Sequence, residues 1–151
     1  MSASYWGEVY GEAFHDALGK ALRNKDQAAK IGLLSDLDAA VQKQLLPVLR
    51  GLGVDARATP EWVKDGARDG REYARFPWHD LMEALAEEMQ GDIEEYAALE
   101  KEARDEDRRA LSALTEHQRA ALVFVERELA GSPGDSIQPV RALIKQLRAT
   151  R

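Results

Sequence analysis

The chain reads as all-α: a bundle of four long amphipathic helices with a crossover between the second and third and a shorter helix at the end. Three observations carry this reading. Residues 78–130 hold no proline and one glycine, Gly91, while apolar side chains return at steps of three and four throughout. The composition is rich in Ala, Leu, Glu and Arg, with 32% charged and only 7% aromatic residues, a mixture of good helix formers. Turn formers gather at a few points, chiefly Asn24-Lys25-Asp26, Gly51 to Gly53 and Gly131-Ser132-Pro133-Gly134. With 151 residues, one domain spanning residues 1–151 is expected, large enough to bury a core without staples.

The first helix is expected over about Ser4 to Arg23. Its apolar residues come in pairs four apart: Tyr5-Trp6, Val9-Tyr10, Ala13-Phe14, Ala17-Leu18, Ala21-Leu22. The reverse face carries Gly7, Gly11, His15 and Gly19. A mid-helix glycine costs about 1 kcal/mol relative to alanine, so three in register point to the close approach of another backbone, with a tolerated weak helix as the bland alternative. This helix is therefore expected to be covered on both sides, the second cover being a partner subunit in a homo-oligomer.

After the turn at Asn24-Lys25-Asp26, the second helix should run from about Gln27 to Arg50 with the stripe Ile31, Leu34, Asp38, Val41, Leu45, Val48, Leu52. Pro47 should kink it or end it early, and Gly51 with Gly53 should stop it. Residues 54–76 form the least regular part. Thr59-Pro60-Glu61 reads as a cap with proline in the first turn, starting a short crossover helix through Trp62 and Val63 that Gly66 and Gly70 then weaken. Pro77 starts the third long helix, with the stripe Met82, Leu85, Met89, Asp92, Tyr96, Leu99, Ala103. The fourth carries Ala110, Leu114, His117, Ala121 and Phe124, flanked by Leu111, Gln118, Val125 and Leu129. Between them lies Arg104-Asp105-Glu106-Asp107-Arg108-Arg109. One unbroken helix would be about 80 Å long at ~1.5 Å per residue, against a radius of gyration of roughly 15 Å for a compact chain of this size. A turn is expected in the charged run, with Asp105 or Asp107 capping the next helix; the alternative is one continuous helix that mediates dimerisation. A last helix should begin at a cap on Asp135 or Ser136 and bury Ile137, Val140, Leu143 or Ile144, and Leu147.

Several classes of chemistry are excluded at this level. There is no cysteine, hence no disulfide, thiolate zinc site or cysteine nucleophile, which suits a reducing compartment. The net charge of −6 disfavours a nucleic-acid partner, since phosphate binding needs clustered Lys and Arg. No apolar run approaches the ~20 residues of a membrane span, and the N-terminus lacks the layout of a signal peptide. A cytoplasmic protein is expected. There is no phosphate loop, His-Glu-x-x-His or nucleophile elbow.

What remains is a set of polar residues at interior positions: Asp38, Asp92, His117 and Gln118, with Tyr96 one turn from Asp92. An unpaired buried carboxylate is costly, so the aspartates should have partners, His117 first among them. Asp38, Asp92 and His117 are the catalytic candidates, a histidine base oriented by aspartate, with Tyr96 and Gln118 lining a small-molecule pocket. The structural alternative is a satisfied hydrogen-bond cluster that sets register. His79, beside Trp78 at a helix start, is read as a surface residue.

The layout, together with the run Leu114-Thr115-Glu116-His117-Gln118-Arg119-Ala120-Ala121 through Phe124, Glu126 and Glu128-Leu129-Ala130-Gly131, resembles the ferritin-like superfamily over about residues 4–131. That resemblance implies a four-helix bundle with a di-metal centre in which two helices give a glutamate each and the other two Glu-x-x-His. The chain matches it only at Glu12-x-x-His15, on the first helix. Leu114 stands three before His117, and Val41 three after Asp38. The expectation is thus a modified site for a small molecule or one transition ion, iron or manganese, with Glu12, His15 and His117 as metal candidates and redox chemistry as one use. Glu12 and His15 oppose the helix's main apolar face, so they belong to an interface, to a second site or to plain surface. The competing class is a metal-free interaction protein that assembles through the glycine-lined face of the first helix.

Overall fold

The computed structural model describes residues 2–51 and 60–149, side chains included except at 2–6 and 49. These residues form six α-helices and no strand: α1 (Ser2–Ala21), α2 (Lys25–Gly51), α3 (Pro60–Tyr73), α4 (Trp78–Glu102), α5 (Asp105–Leu129) and α6 (Gln138–Ala149). The all-α expectation holds. The chain divides into two compact units, Met1–Pro77 and Trp78–Arg151. In each, one central helix is packed by two others: α1 by α2 and α3, and α5 by α4 and α6.

In the first unit, α1 buries Val9, Phe14 and Leu18, and α2 buries Ile31, Leu34, Leu37, Val41 and Leu45. Asn24 belongs to the start of α2 as well as to the turn, because its Oδ1 accepts the Gln27 N–H at 3.0 Å and satisfies one of the helix's open donors. Pro47 does not end α2, which continues to Gly51. The two helices run antiparallel. Near the start of α1, Gln42 Nε2 donates to the Glu8 carbonyl at 3.3 Å; further along, the Ser35 hydroxyl donates to the Glu12 carbonyl at 3.0 Å. At the far end, a Cβ placed on Gly19 would lie 3.3 Å from the Ala28 carbonyl oxygen. The close backbone approach expected of the glycine face therefore exists at Gly19, and its cover is α2 of the same chain. Gly7 is exposed.

The largest departure from the sequence reading is α3. It runs for 14 residues, and Gly66 and Gly70 are its buried positions instead of its weak points. A Cβ on Gly66 would overlap the Tyr10 carbonyl oxygen and stand 3.1 Å from the Ala13 Cβ; one on Gly70 would overlap the Phe14 carbonyl oxygen and stand 3.0 Å from the Leu18 nitrogen. Glycines four apart share a helix face, and bare Cα atoms let two backbones meet at carbonyl distance. Residue numbers rise together across this contact, so α3 lies parallel to α1. Phe14 packs edge-on against Tyr73, with centroids 5.1 Å apart, and the Tyr10 hydroxyl donates to Asp69 Oδ2. That bond, ahead of the neighbouring Arg68, holds the Asp69 carboxyl below the usual carboxylate range. The side chains of Tyr5 and Trp6, and the expected roles of Leu52, Gly53 and Thr59, lie outside the described residues.

In the second unit, α4 buries Leu81, Met82, Leu85, Met89 and Tyr96, while Leu99 is exposed. The chain turns at Ala103-Arg104, just where the charged run begins, so most of that run is the first turn of α5. Arg104 takes the N-cap position with extended backbone and no side-chain cap, so neither Asp105 nor Asp107 caps the helix. Instead, Asp105, Glu106 and Asp107 occupy the first turn, where carboxylates are favoured by the exposed N–H groups and the helix dipole. The end of α5 follows from Gly131, the one described glycine with positive φ, at 77°. Its N–H bonds the Glu128 carbonyl at 3.3 Å and the Ser132 N–H bonds the Arg127 carbonyl at 2.9 Å, closing the last turn as a left-handed glycine allows. Ser136 turns back to Glu128 Oε2 at 2.6 Å, while Trp78 Nε1 donates to Glu128 Oε1 at 3.0 Å. One carboxylate thereby ties the start of α4 to the α5–α6 turn. No helix of the described residues is long and apolar enough to cross a membrane.

Candidate functional site

Two polar groupings stand out, one in each unit. In the first, Asp38 sits in the apolar stripe of α2 with its side chain 2% exposed, and His15 on α1 presents Nδ1 to its Oδ2 at 2.6 Å. Gly11 makes the arrangement fit. The Asp38 carboxylate oxygens lie 3.3 and 3.6 Å from where a Cβ on Gly11 would stand, so the glycine one turn before the histidine leaves the space the carboxylate fills. His15 is accordingly buried, contrary to a surface placement opposite the apolar face. Asp38 has the histidine partner that burial demands, and within this unit it is His15. Because α2 covers Gly11 and Gly19, that part of the glycine-lined face of α1 is an internal contact of the chain.

Three residues before His15, the Glu12 carboxylate accepts the Gln42 amide at 2.6 Å. Glu12 and Gln42 open onto a cleft of about 810 Å³ over α1, bounded by α2 and α3, two helices that scarcely touch one another. Its floor is apolar and shallow: Val9, Ala13, Ala17 and Ala21 from α1, with Val63 and Ala67 from α3. Its polar groups are Glu12, Asp16, Lys20, Ser35, Asp36, Gln42 and Arg71. Sequence reasoning found Glu12 and missed Ser35, Asp36, Gln42 and Arg71. A signal for two of them was present, since Ser35, Asp38 and Gln42 are three and four apart and so share the face of α2 that meets α1.

The second grouping joins α4 and α5. Asp92 is half-buried, and its carboxyl is pushed up to about 6, first by burial and then by Glu95 and Glu88, with His117 acting in the opposite direction. His117, Gln118 and Tyr96 are buried. Since the folded chain binds the Asp92 proton more tightly than the unfolded chain does, ionisation subtracts from stability. The loss is absent below pH 3.8, the ordinary value, and complete above about 6. Partial exposure screens the effect, leaving about 1 kcal/mol of the full shift. Asp92→Asn is therefore expected to raise the melting temperature at pH 7.5 and to change it little near pH 4, as followed by circular dichroism.

A standard di-metal centre does not fit these residues. Leu114 and Val41, which occupy positions where the ligand pattern calls for donors, are fully buried apolar side chains, and in Glu12-x-x-His15 the carboxylate already accepts from Gln42 and Nδ1 already meets Asp38. No family model matches this chain, nor does any curated protein or solved structure.

Proposed function

We propose that this chain binds a small molecule in the cleft over α1, with the Glu12–Gln42 pair as its polar anchor. The observation that carries the reading is convergence: side chains from three helices meet around a space of about 810 Å³, within the roughly 300–1,000 Å³ of small-molecule sites. Gln42 holds the Glu12 carboxylate in one orientation, which reduces the ordering cost of binding. The His15–Asp38 pair fixes how α1 and α2 meet beneath that anchor. A cytoplasmic setting suits a chain without cysteine.

The ferritin-like likeness extends the proposal to one bound transition ion, iron or manganese. What favours that extension is the His15–Asp38 pair, because an aspartate on Nδ1 orients a histidine to offer Nε2 to a metal or a proton. Elemental analysis of the purified protein tests it: about one ion per chain, lost in His15→Ala, is the supporting result, and no uptake of added iron or manganese removes it. For the cleft itself, a fragment library is expected to shift backbone amide resonances of α1 and α3. Gln42→Ala should weaken those hits about tenfold, the worth of one hydrogen bond to a charged group, with an unchanged helical spectrum.

A further inference from the structure

We infer that the ligand of this cleft is a linear zwitterion, with an ammonium group and an anionic group separated by a short apolar chain; the inference rests on the cleft being a small-molecule site. Of the charged groups lining it, Asp16 and Lys20 satisfy each other at 2.9 Å. Glu12 and Asp36 remain on the side formed by α1 and α2, and Arg71 on α3. Glu12 is met by an uncharged amide, and neither Asp36 nor Arg71 has an ion pair among the described residues. The cleft therefore offers both signs of charge to a guest.

The two signs stand at different levels. Gly70 packs against Phe14, Ala17 and Leu18, which sets the adjacent Arg71 about five residues beyond Glu12 along α1, roughly 8 Å at ~1.5 Å per residue. Between these levels the floor is methyl groups, Ala13 and Ala17 with Ala67 opposite, and the one carboxylate of α1 at that height, Asp16, is taken by Lys20. An ammonium group meets Glu12 and Asp36, an apolar chain covers the alanines, and a carboxylate meets Arg71, whose planar fork suits that group. A ligand carrying both charges close together cannot reach both ends.

The test is calorimetric titration of the full chain with 6-aminohexanoate, hexylamine, hexanoate and glycine. The expected result is that 6-aminohexanoate binds tightest and glycine weakest. Glu12→Gln should weaken 6-aminohexanoate and hexylamine about tenfold and spare hexanoate, while Arg71→Ala should weaken 6-aminohexanoate and hexanoate and spare hexylamine. Arg71 is exposed, so its variant keeps the fold. Equal binding of hexylamine and 6-aminohexanoate, or indifference of 6-aminohexanoate to Arg71→Ala, overturns the inference. If 6-aminohexanoate fails while fragments of other chemistry still shift the α1 and α3 amides, the zwitterion falls and the cleft reading stands; if no fragment shifts them, both fall.

Discussion

Gly70→Ala is expected to lower the stability of the protein by about 2 kcal/mol, and Gly66→Ala by a similar amount. In a helix interior this substitution normally adds up to about 1 kcal/mol. Here the new Cβ would overlap the carbonyl oxygen of Phe14 or Tyr10, a backbone group that cannot rotate aside. Forcing α3 away from α1 costs about 1–3 kcal/mol or more, and the propensity gain offsets only part of it. Gly32 and Gly91 provide the control, since at neither would a Cβ meet anything within 4 Å beyond the backbone of its own helix turn. Alanine at either should stabilise by about 0.5–1 kcal/mol. Urea denaturation of the four variants measures both signs. A Gly70→Ala protein as stable as Gly91→Ala would mean that α3 does not lie against α1 as described.

The second large effect is expected at Asp38. Removing its carboxylate in Asp38→Ala leaves the buried His15 Nδ1 without its 2.6 Å partner, and breaking one side of such a pair costs about 3 kcal/mol because the remaining group is desolvated and unpaired. His15→Ala removes the same 2.6 Å contact from the Asp38 side and should cost about 1.5–3 kcal/mol, the worth of a hydrogen bond to a charged group. The double variant should cost much less than the sum, with an interaction energy of about 2 kcal/mol in the cycle. Additive losses would show that the two residues do not act as a pair. Gln42→Ala, by contrast, removes a half-exposed contact and is read in binding more than in stability.

The helices were legible because their signals are local. The stripe Ile31, Leu34, Asp38, Val41, Leu45, Val48, Leu52 predicts the buried face of α2 at its first five positions, while Val48 is only half-buried and Leu52 lies outside the described residues; Asn24 and Gly131 mark ends that the backbone bears out. The glycines were not legible in the same way. Gly66 and Gly70 look like helix breakers in a list of propensities, and a glycine that weakens a helix cannot be told from one that admits a neighbouring backbone until the neighbour is placed. Gly11 was marked as a site of close approach, yet what approaches it is a carboxylate from a helix whose register against α1 no local pattern encodes.

By itself the sequence determined the helical segments, most of their boundaries, their apolar faces, and the absence of thiol chemistry, since each follows from periodicity, capping or composition along a few consecutive residues; the break between α4 and α5, where one continuous helix was the alternative, is seen only in the structure. Only the tertiary structure decided that Asp38 meets His15, that Glu12 is held by Gln42, and that α2 and α3 leave a cleft over the alanines of α1. Those facts depend on how one helix is rotated and shifted against another by a residue or two. That choice is made by the summed packing of the whole unit, in which the space left by Gly11, Gly66 and Gly70 counts as much as the side chains that surround it.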